Sequence, residues 1–247
     1  MKALILAAGY ARRLYPLTKE FPKPLLLVRH RPIIDYIIDK LESVDQINEI
    51  IVVTNSKFIS RFKVWASKHP TKKRISLVDD LTKTHSDRRG AIGDMNFAVN
   101  KKRIKDDLLV IGGDNLFDGD LNVFLDFAKA RRNKPVIGAY NIRKLHAARE
   151  YGVIKLDKEN RVIDFEEKPN WPKTALIAMC LYYFPKEKLK LIREYLDVKT
   201  AHNDATGFYI DWLTKRERVF AFIFHGRWFD IGHHKFYEEA KHKFFMV

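Results

Sequence analysis

Residues 4 to 28, LILAAGYARRLYPLTKEFPKPLLLV, hold the densest chemistry in the chain. An apolar run ends there in Ala7, Ala8 and Gly9. Small residues let a backbone approach a ligand closely, and Gly9 is free to take a positive φ. Arg12, Arg13, Lys19 and Lys23 follow, the last held between Pro22 and Pro24. Backbone N–H groups with fixed cations make a triphosphate cradle. An arginine in such a place stabilises charge building on a transferring phosphoryl group. The same residues also suit a plain strand-to-helix turn with solvated basic side chains, and composition does not separate the two. No Gly-Lys-Ser or Gly-Lys-Thr follows, and Gly9 is the only glycine in the stretch. The ATPase P-loop and the dinucleotide fingerprint are therefore both excluded.

Carboxylates supply the second chemistry. Asp114 follows the apolar run 108–111 and Gly112-Gly113. An aspartate at the C-terminal end of a parallel strand faces the ligand crevice. Magnesium takes one or two carboxylates and completes its shell with phosphate oxygens. Asp118 and Asp120 flank Gly119 and read as turn residues. Asp230, in Trp228-Phe229-Asp230-Ile231-Gly232, taken alone reads as another turn aspartate. Glu166-Glu167-Lys168-Pro169 taken alone is a surface turn, although glutamate can grip vicinal hydroxyls and lysine a phosphate. Asn203 to Gly207 stand before a helical pattern, as either a capped entrance or a site border. His233 and His234 lack further histidines at ligand spacing and belong on the surface.

Alternating elements must position these groups. Ala3–Ala7, Ile50–Val53, Ile75–Val78 and Leu108–Ile111 are apolar runs expected as strands buried on both faces. Pro32 opens a helix whose Ile33, Ile34, Ile37, Ile38 and Leu41 recur at helical spacing. Further helices are expected at Phe58–Trp65, Asp94–Asn100, Phe124–Ala130, Lys188–Tyr195 and from about His234. Strand alternating with helix implies parallel strands and crossover helices. Strand-like runs at Val136–Asn141, Gly152–Leu156, Val162–Glu166 and Ala175–Phe184 have short connections and suggest antiparallel additions. The polar stretch 80–89 is expected as a loop.

The 247 residues carry no linker, internal repeat or low-complexity segment, so one domain, 1–247, is expected. Cys180 is the only cysteine, which excludes an internal disulfide and cysteine-based metal sites. It fits a small core residue in a reducing, cytoplasmic setting. No apolar run reaches bilayer length. The net charge of +15 attracts anions, but the basic residues are spread along the chain, so a nucleic-acid stripe is not expected.

The long segment Leu6, Ala7, Ala8, Gly9, Arg13, Leu14, Pro16, Leu17, Thr18, Pro22, Lys23, Pro24, Leu25 resembles the signature of the sugar-phosphate nucleotidylyltransferases, the family of glucose-1-phosphate thymidylyltransferase. Pro32-Ile33-Ile34-Asp35-Tyr36 resembles its next helix. Two positions depart from the pattern. Ala11 stands where the family has a second glycine, and Arg12 where it has threonine. Arg12 adds a charge near the phosphates, which either tightens or crowds triphosphate binding.

The resemblance implies a three-layer α/β/α sandwich with a mixed central sheet and a Rossmann-like parallel first half. It implies transfer of a nucleotidyl group from a nucleoside triphosphate to a sugar 1-phosphate, with Mg²⁺ as cofactor. Arg13 and Lys23 become the catalytic cations. Leu6, Ala7, Ala8, Gly9, Arg12, Gly90 and Asp114 become nucleotide contacts, with Gly90 close to the base. Gly152, Glu167 and Lys168 hold the sugar phosphate, and Asp114 and Asp230 the metal. Homo-oligomers are common in such enzymes, and partners other than the two substrates, nucleic acid and membrane included, are not implied. The loop 82–89 lacks the glutamine and proline of the thymidylyl enzymes, so the base stays open among the dTTP, UTP and CTP classes. The segment holds no hexapeptide repeats of the kind some relatives carry. Two other readings stand beside this one. One is a non-catalytic nucleotide- or sugar-nucleotide-binding homologue. The other is a cytidylyltransferase for a phosphate such as phosphocholine, caged by Trp171, Trp212 and Trp228.

Overall fold

The apolar run near the N-terminus becomes β1 (Lys2–Leu6), the centre of a mixed sheet. The computed structural model describes residues 1–198, 202 and 204–244; Asn203 lies outside them. In chain order come β2 (Leu27–Val28), β3 (Arg31–Pro32), α1 (Ile33–Glu42), β4 (Glu49–Thr54), α2 (Ile59–Lys68), β5 (Arg74–Asp79) and α3 (Gly90–Lys101). Then follow β6 (Leu108–Gly112), β7 (Asn115–Phe117), α4 (Leu121–Ala130), β8 (Val136–Asn141), β9 (Gly152–Leu156), β10 (Val162–Glu167) and β11 (Leu176–Phe184). The chain continues through α5 (Lys190–Leu196), α6 (Thr206–Thr214), β12 (Phe220–Phe224), β13 (Trp228–Asp230) and α7 (His234–Lys243).

Along the main sheet the strands run β10-β9-β11-β6-β1-β4-β5. β1 pairs in parallel with β4 and β6, and β4 with β5, as alternating strand and helix predicted. β11 runs antiparallel to β6, β8 and β9, and β10 antiparallel to β9. The antiparallel second half thus forms, with one addition: β12 runs parallel to β8.

Strand residues alternate between two cores, which makes the third layer explicit. Ala3, Ile5, Ile50, Val52, Leu109 and Ile111 face α1, α2 and α4. Leu4, Ile51, Val53, Leu108 and Val110 face α3, α5 and α6. Period-two alternation with apolar residues on both faces is what a sheet covered twice by helices requires. The α/β/α sandwich is therefore the observed architecture.

Three local expectations shift. α1 begins one residue after Pro32, which caps it. α3 begins at Gly90, four residues before the apolar period becomes visible, because Gly90 and Gly93 weaken the helical pattern. The short strands β7 and β13 pair with each other outside the main sheet and carried no readable period. Among the described residues, no helix is long and apolar enough to cross a membrane.

Candidate functional site

A cleft of about 850 Å³ opens at the C-terminal ends of β1 and β6. Leu6, Ala8, Gly9, Arg12, Arg13, Lys23 and Gly90 line one part of it. Asp114, Gly152, Glu167, Lys168 and Asp230 line the rest. Ala7 is not among the residues that line the cleft. It is 4% exposed, packs into the core, and its N–H bonds the Val53 carbonyl at 2.9 Å. Just past the end of β1, residues 7 and 8 thus lie on different sides.

The phosphate loop is fixed from several directions. Asn55 Nδ2 donates to the Ala8 carbonyl at 2.8 Å, and Thr18 Oγ1 to the Ala11 carbonyl at 2.8 Å. Gly9 is exposed, and a Cβ built on it would meet nothing within 4 Å. The left-handed turn expected at Gly9 falls instead on Ala11, with φ 46° and ψ 42°. A residue carrying Cβ is strained there, which explains a glycine in the family pattern. Arg12 and Arg13 form the first residues of the 3₁₀ turn that follows, and both are exposed to the cleft.

Three charged side chains converge below this loop. Lys23 Nζ pairs with Asp114 Oδ2 and donates to the Ile231 carbonyl at 3.0 Å. β7 and β13 bring Asp230 to this place, because Asp230 stands opposite Asn115 in their register. The Ile231 N–H then bonds the Asp114 carbonyl at 3.2 Å. Trp228 Nε1 donates to buried Asn115 Oδ1 at 2.8 Å and locks the pair. Burial, then the Asp114 carboxylate, push Asp230 up to about 7, against the pull of Lys23, Arg13 and Lys168. Two half-buried carboxylates thus face each other with less positive charge than they need. That deficit fits a divalent cation held by these two aspartates and by substrate phosphates. Among the described residues no group of three His, Cys, Asp or Glu side chains forms a metal cluster.

Glu167 marks the opposite side. A Cβ on Gly207 would lie 1.7 Å from Glu167 Oε2, and one on Gly152 would lie 3.0 Å from it. The carboxyl is thus clamped between two backbones that only glycine allows so near. Burial raises the Glu167 pKa against the pull of Lys168. Lys168 itself sits at φ 48°, with its N–H bonded to the Tyr151 carbonyl at 3.0 Å. Strain of this kind is held where neighbours over-determine the backbone.

Within the stretch 82–94, which the family resemblance put around the base, the structure names particular side chains and adds Tyr10 to them. Tyr10, His85, Arg88 and Asp94 surround Gly90, which takes φ 76°. Tyr10 and His85 meet edge to face with centroids 6.2 Å apart. Arg88 bonds Asp204 through two contacts of 2.9 and 3.1 Å and so joins the loop 80–89 to the entrance of α6. Asp94 is 7% exposed; burial, then Asp80, push it up to about 8. Its signal was present: an aspartate on the same buried helix face as Ile92, Met95 and Ala98.

Cys180 packs against the core, as its apolar neighbours suggested. β11 changes register between Ala178 and Tyr182; Tyr182 is buried in the core beside α3, α5 and α6, Ala178 and Cys180 pack against it, and all three also border the cleft. Burial pushes its thiol up to about 12, so it is no thiolate at neutral pH. Asp118 pairs with Arg227 and Asp120 caps α4, both structural roles. His234 bonds the Tyr15 carbonyl at 2.8 Å, while His233 stacks on Phe236 and reaches the cleft edge. Trp171 is 88% exposed and Trp212 packs against Tyr195 and Tyr209. Of the three tryptophans only Trp228 lines the cleft, so they form no cage.

The Nucleotidyl transferase family model matches residues 2–245. The chain belongs to that family. It is 34% identical over 235 residues to the bifunctional protein GlmU of Methanocaldococcus jannaschii, covering 94% of this chain and 51% of that protein. It thus spans about half the length of this relative. It is also 34% identical over 130 residues to a glucose-1-phosphate adenylyltransferase of Thermosipho africanus, covering 51% of this chain and 30% of that protein. A crystal structure of a candidate glucose-1-phosphate thymidylyltransferase from Bacillus anthracis, in complex with sucrose, shares the fold at TM-score 0.79 and 22% identity. That match covers 98% of this chain and 94% of the other. Within this nucleotidyl transferase, the two short strands missed in the sequence are the device that joins Asp230 to Asp114.

Proposed function

We propose that this nucleotidyl transferase joins a nucleoside triphosphate to a sugar 1-phosphate, with Mg²⁺ as cofactor, and that residues 1–247 act as one catalytic domain. The observation that carries the reading is a single cleft with three stations. These are a cationic loop at a strand end, the Lys23–Asp114–Asp230 cluster, and Glu167 between two glycine backbones. Two relatives bear the names of enzymes that act on glucose 1-phosphate and differ in the nucleotide, which supports the acceptor class and leaves the base open.

In this reading Gly9 and the loop after it receive the triphosphate, and Arg13 steadies the charge that grows as pyrophosphate departs. Lys23 holds the α-phosphate region and pairs with Asp114. Glu167 orients the sugar hydroxyls while Lys168 pairs with its phosphate. A phosphate oxygen of the acceptor attacks the α-phosphorus, and the bond to the β-phosphate breaks. The residues work by positioning and neutralisation, without a covalent enzyme intermediate. Asp114 and Asp230 would hold Mg²⁺, which supplies charge neutralisation of the phosphate oxygens.

Pyrophosphate release tests this. Nucleoside triphosphates are crossed with a panel of sugar 1-phosphates and phosphocholine, with and without magnesium. Release for one pair, only with both substrates and the metal present, names donor and acceptor together. Silence from folded, nucleotide-binding protein would sink the catalytic reading.

A further inference from the structure

A second concavity of about 390 Å³ lies behind the phosphate loop. Phe21 and Leu25 line it, while Lys23, between them in the chain, lines the main cleft. The segment 21–25 is therefore a partition with one face on each cavity. Across from it stand Arg61, Val64, Trp65 and Lys68 of α2. Their spacing of i, i+3, i+4 and i+7 makes them one stripe of the helix.

This stripe is built as an apolar slot with a cationic mouth. Val64 is 56% exposed and Leu27 50% exposed, both large apolar side chains left in water at the rim. The Arg61 guanidinium lies over the Phe21 ring at 5.5 Å. Among the described residues neither Arg61 nor Lys68 forms an ion pair. The deep end is polar and already ordered. Trp65 Nε1 donates to Asp35 Oδ1 at 2.7 Å, and His69 Nε2 lies 3.4 Å from the same oxygen. His69 Nδ1 is buried with no hydrogen-bond partner. An occupant with an apolar body removes Leu27 and Val64 from water. An acidic group on it meets the two free cations, where charge-assisted contacts are strongest.

We infer that this concavity is a second ligand site for an amphiphilic organic anion, with its ring body between Phe21 and the α2 stripe and its acidic group at Arg61 and Lys68. Occupancy bears on Phe21 and Leu25, and through them on the Lys23 segment. The site stands independently of the proposed reaction; only its effect on the triphosphate rests on that reading.

The probe is 1-anilinonaphthalene-8-sulfonate, titrated by calorimetry and by energy transfer from tryptophan. One site per chain is expected, undisplaced by saturating triphosphate, with the transfer signal falling in Trp65→Phe. Val64→Glu and Arg61→Glu, both at exposed positions, are expected to keep the parent's melting temperature and to raise Kd at least tenfold. The uncharged N-phenyl-1-naphthylamine is expected to bind at least tenfold more weakly. Bound probe is expected to shift KM for the triphosphate and leave that for the acceptor. Multiple weak sites, affinity untouched by both variants, or displacement by triphosphate would overturn the site. So would a dimer that Val64→Glu turns into monomers, since the face would then belong to a second copy. A chain that binds the probe at one site yet releases no pyrophosphate refutes the proposed reaction and leaves this site standing.

Discussion

Arg13 is exposed in the cleft, with no structural duty in its own turn beyond backbone bonding. Its loss therefore reads out chemistry and not folding. Arg13→Ala is expected to cut turnover by roughly 10²–10³, the scale for removing a donor that stabilises transition-state charge. A variant within a few-fold of the parent would take Arg13 out of that role. Gly207 tests the other end of the cleft. An added methyl would meet Glu167 Oε2 at 1.7 Å, and the carboxyl must move. Gly207→Ala is expected to raise KM for the sugar phosphate at least tenfold while nucleotide binding measured by calorimetry stays the same. An unchanged acceptor KM would show that Glu167 does not grip the sugar. Ala11 carries the opposite test, because its backbone at φ 46° asks for glycine. Relief of about 1–2 kcal/mol of left-handed strain outweighs a chain-entropy cost of about 0.5–1 kcal/mol. Ala11→Gly is thus expected to raise the urea midpoint, with a net gain of about 0.5–1 kcal/mol; a lower midpoint would contradict the strain.

At the level of elements, the β7–β13 pair does more for the cleft than its length suggests. It is three residues long in each strand, yet it sets Asp230 beside Asp114. Trp228 locks it through Asn115, which is 2% exposed and has no water to replace a lost donor. Trp228→Phe keeps the aromatic contacts to Tyr140 and Tyr151 but strands that oxygen. The expected cost is about 1–2 kcal/mol of stability, with magnesium affinity falling several-fold by calorimetry. Unchanged stability would mean that the Trp228 N–H is not needed to hold the pair. The same element level shows why the site was only partly legible. β1 and β6 were plain in their apolar runs, and so were the loop and the Asp114 that follow them. β7 and β13 were not, because three residues show no period and each strand is defined only by the other.

Across the whole molecule, buried carboxyls set how stability varies with pH. Asp94 has a folded value of about 8 against an ordinary 3.8, because it is buried beside Asp80. Asp80 is itself raised by burial, but Thr82 donates to both of its oxygens, so the proton stays on Asp94. Between pH 4 and 8 the folded chain therefore holds a proton that the unfolded chain has released. Stability contributed by this group is full below about pH 4 and is lost as pH rises toward 8. Asp230, with a folded value of about 7, acts in the same direction over pH 4 to 7. Asp94→Asn keeps a donor toward Asp80 and removes the titration. The variant is expected to gain on the parent by about 3–4 kcal/mol between pH 5 and pH 8, in chemical denaturation at both values. A constant difference would show that Asp94 does not carry the proton.

The sequence by itself determined a parallel first half with crossover helices and its ligand-binding end, and the family resemblance carried by residues 6–25 implied the three-layer sandwich. Doubly buried strands need helices on both faces, and a parallel first half puts loop 7–23 and Asp114 at one edge of the sheet. The buried strands and the ligand-binding edge follow from local pattern, which is why they were readable. Tertiary structure alone decided the rest. Just past the end of β1, Ala7 joined the core while Ala8 kept the cleft. Cys180, packed against the core, was also placed on the cleft wall. Asp230 reached Asp114, and Gly207 reached Glu167, across sequence separations that no local period spans. The cleft wall around Gly90 formed from Tyr10, His85, Arg88 and Asp94, residues brought together from separate segments. Contacts between distant segments depend on the geometry of the whole sheet, so their chemistry becomes visible only after the chain has folded.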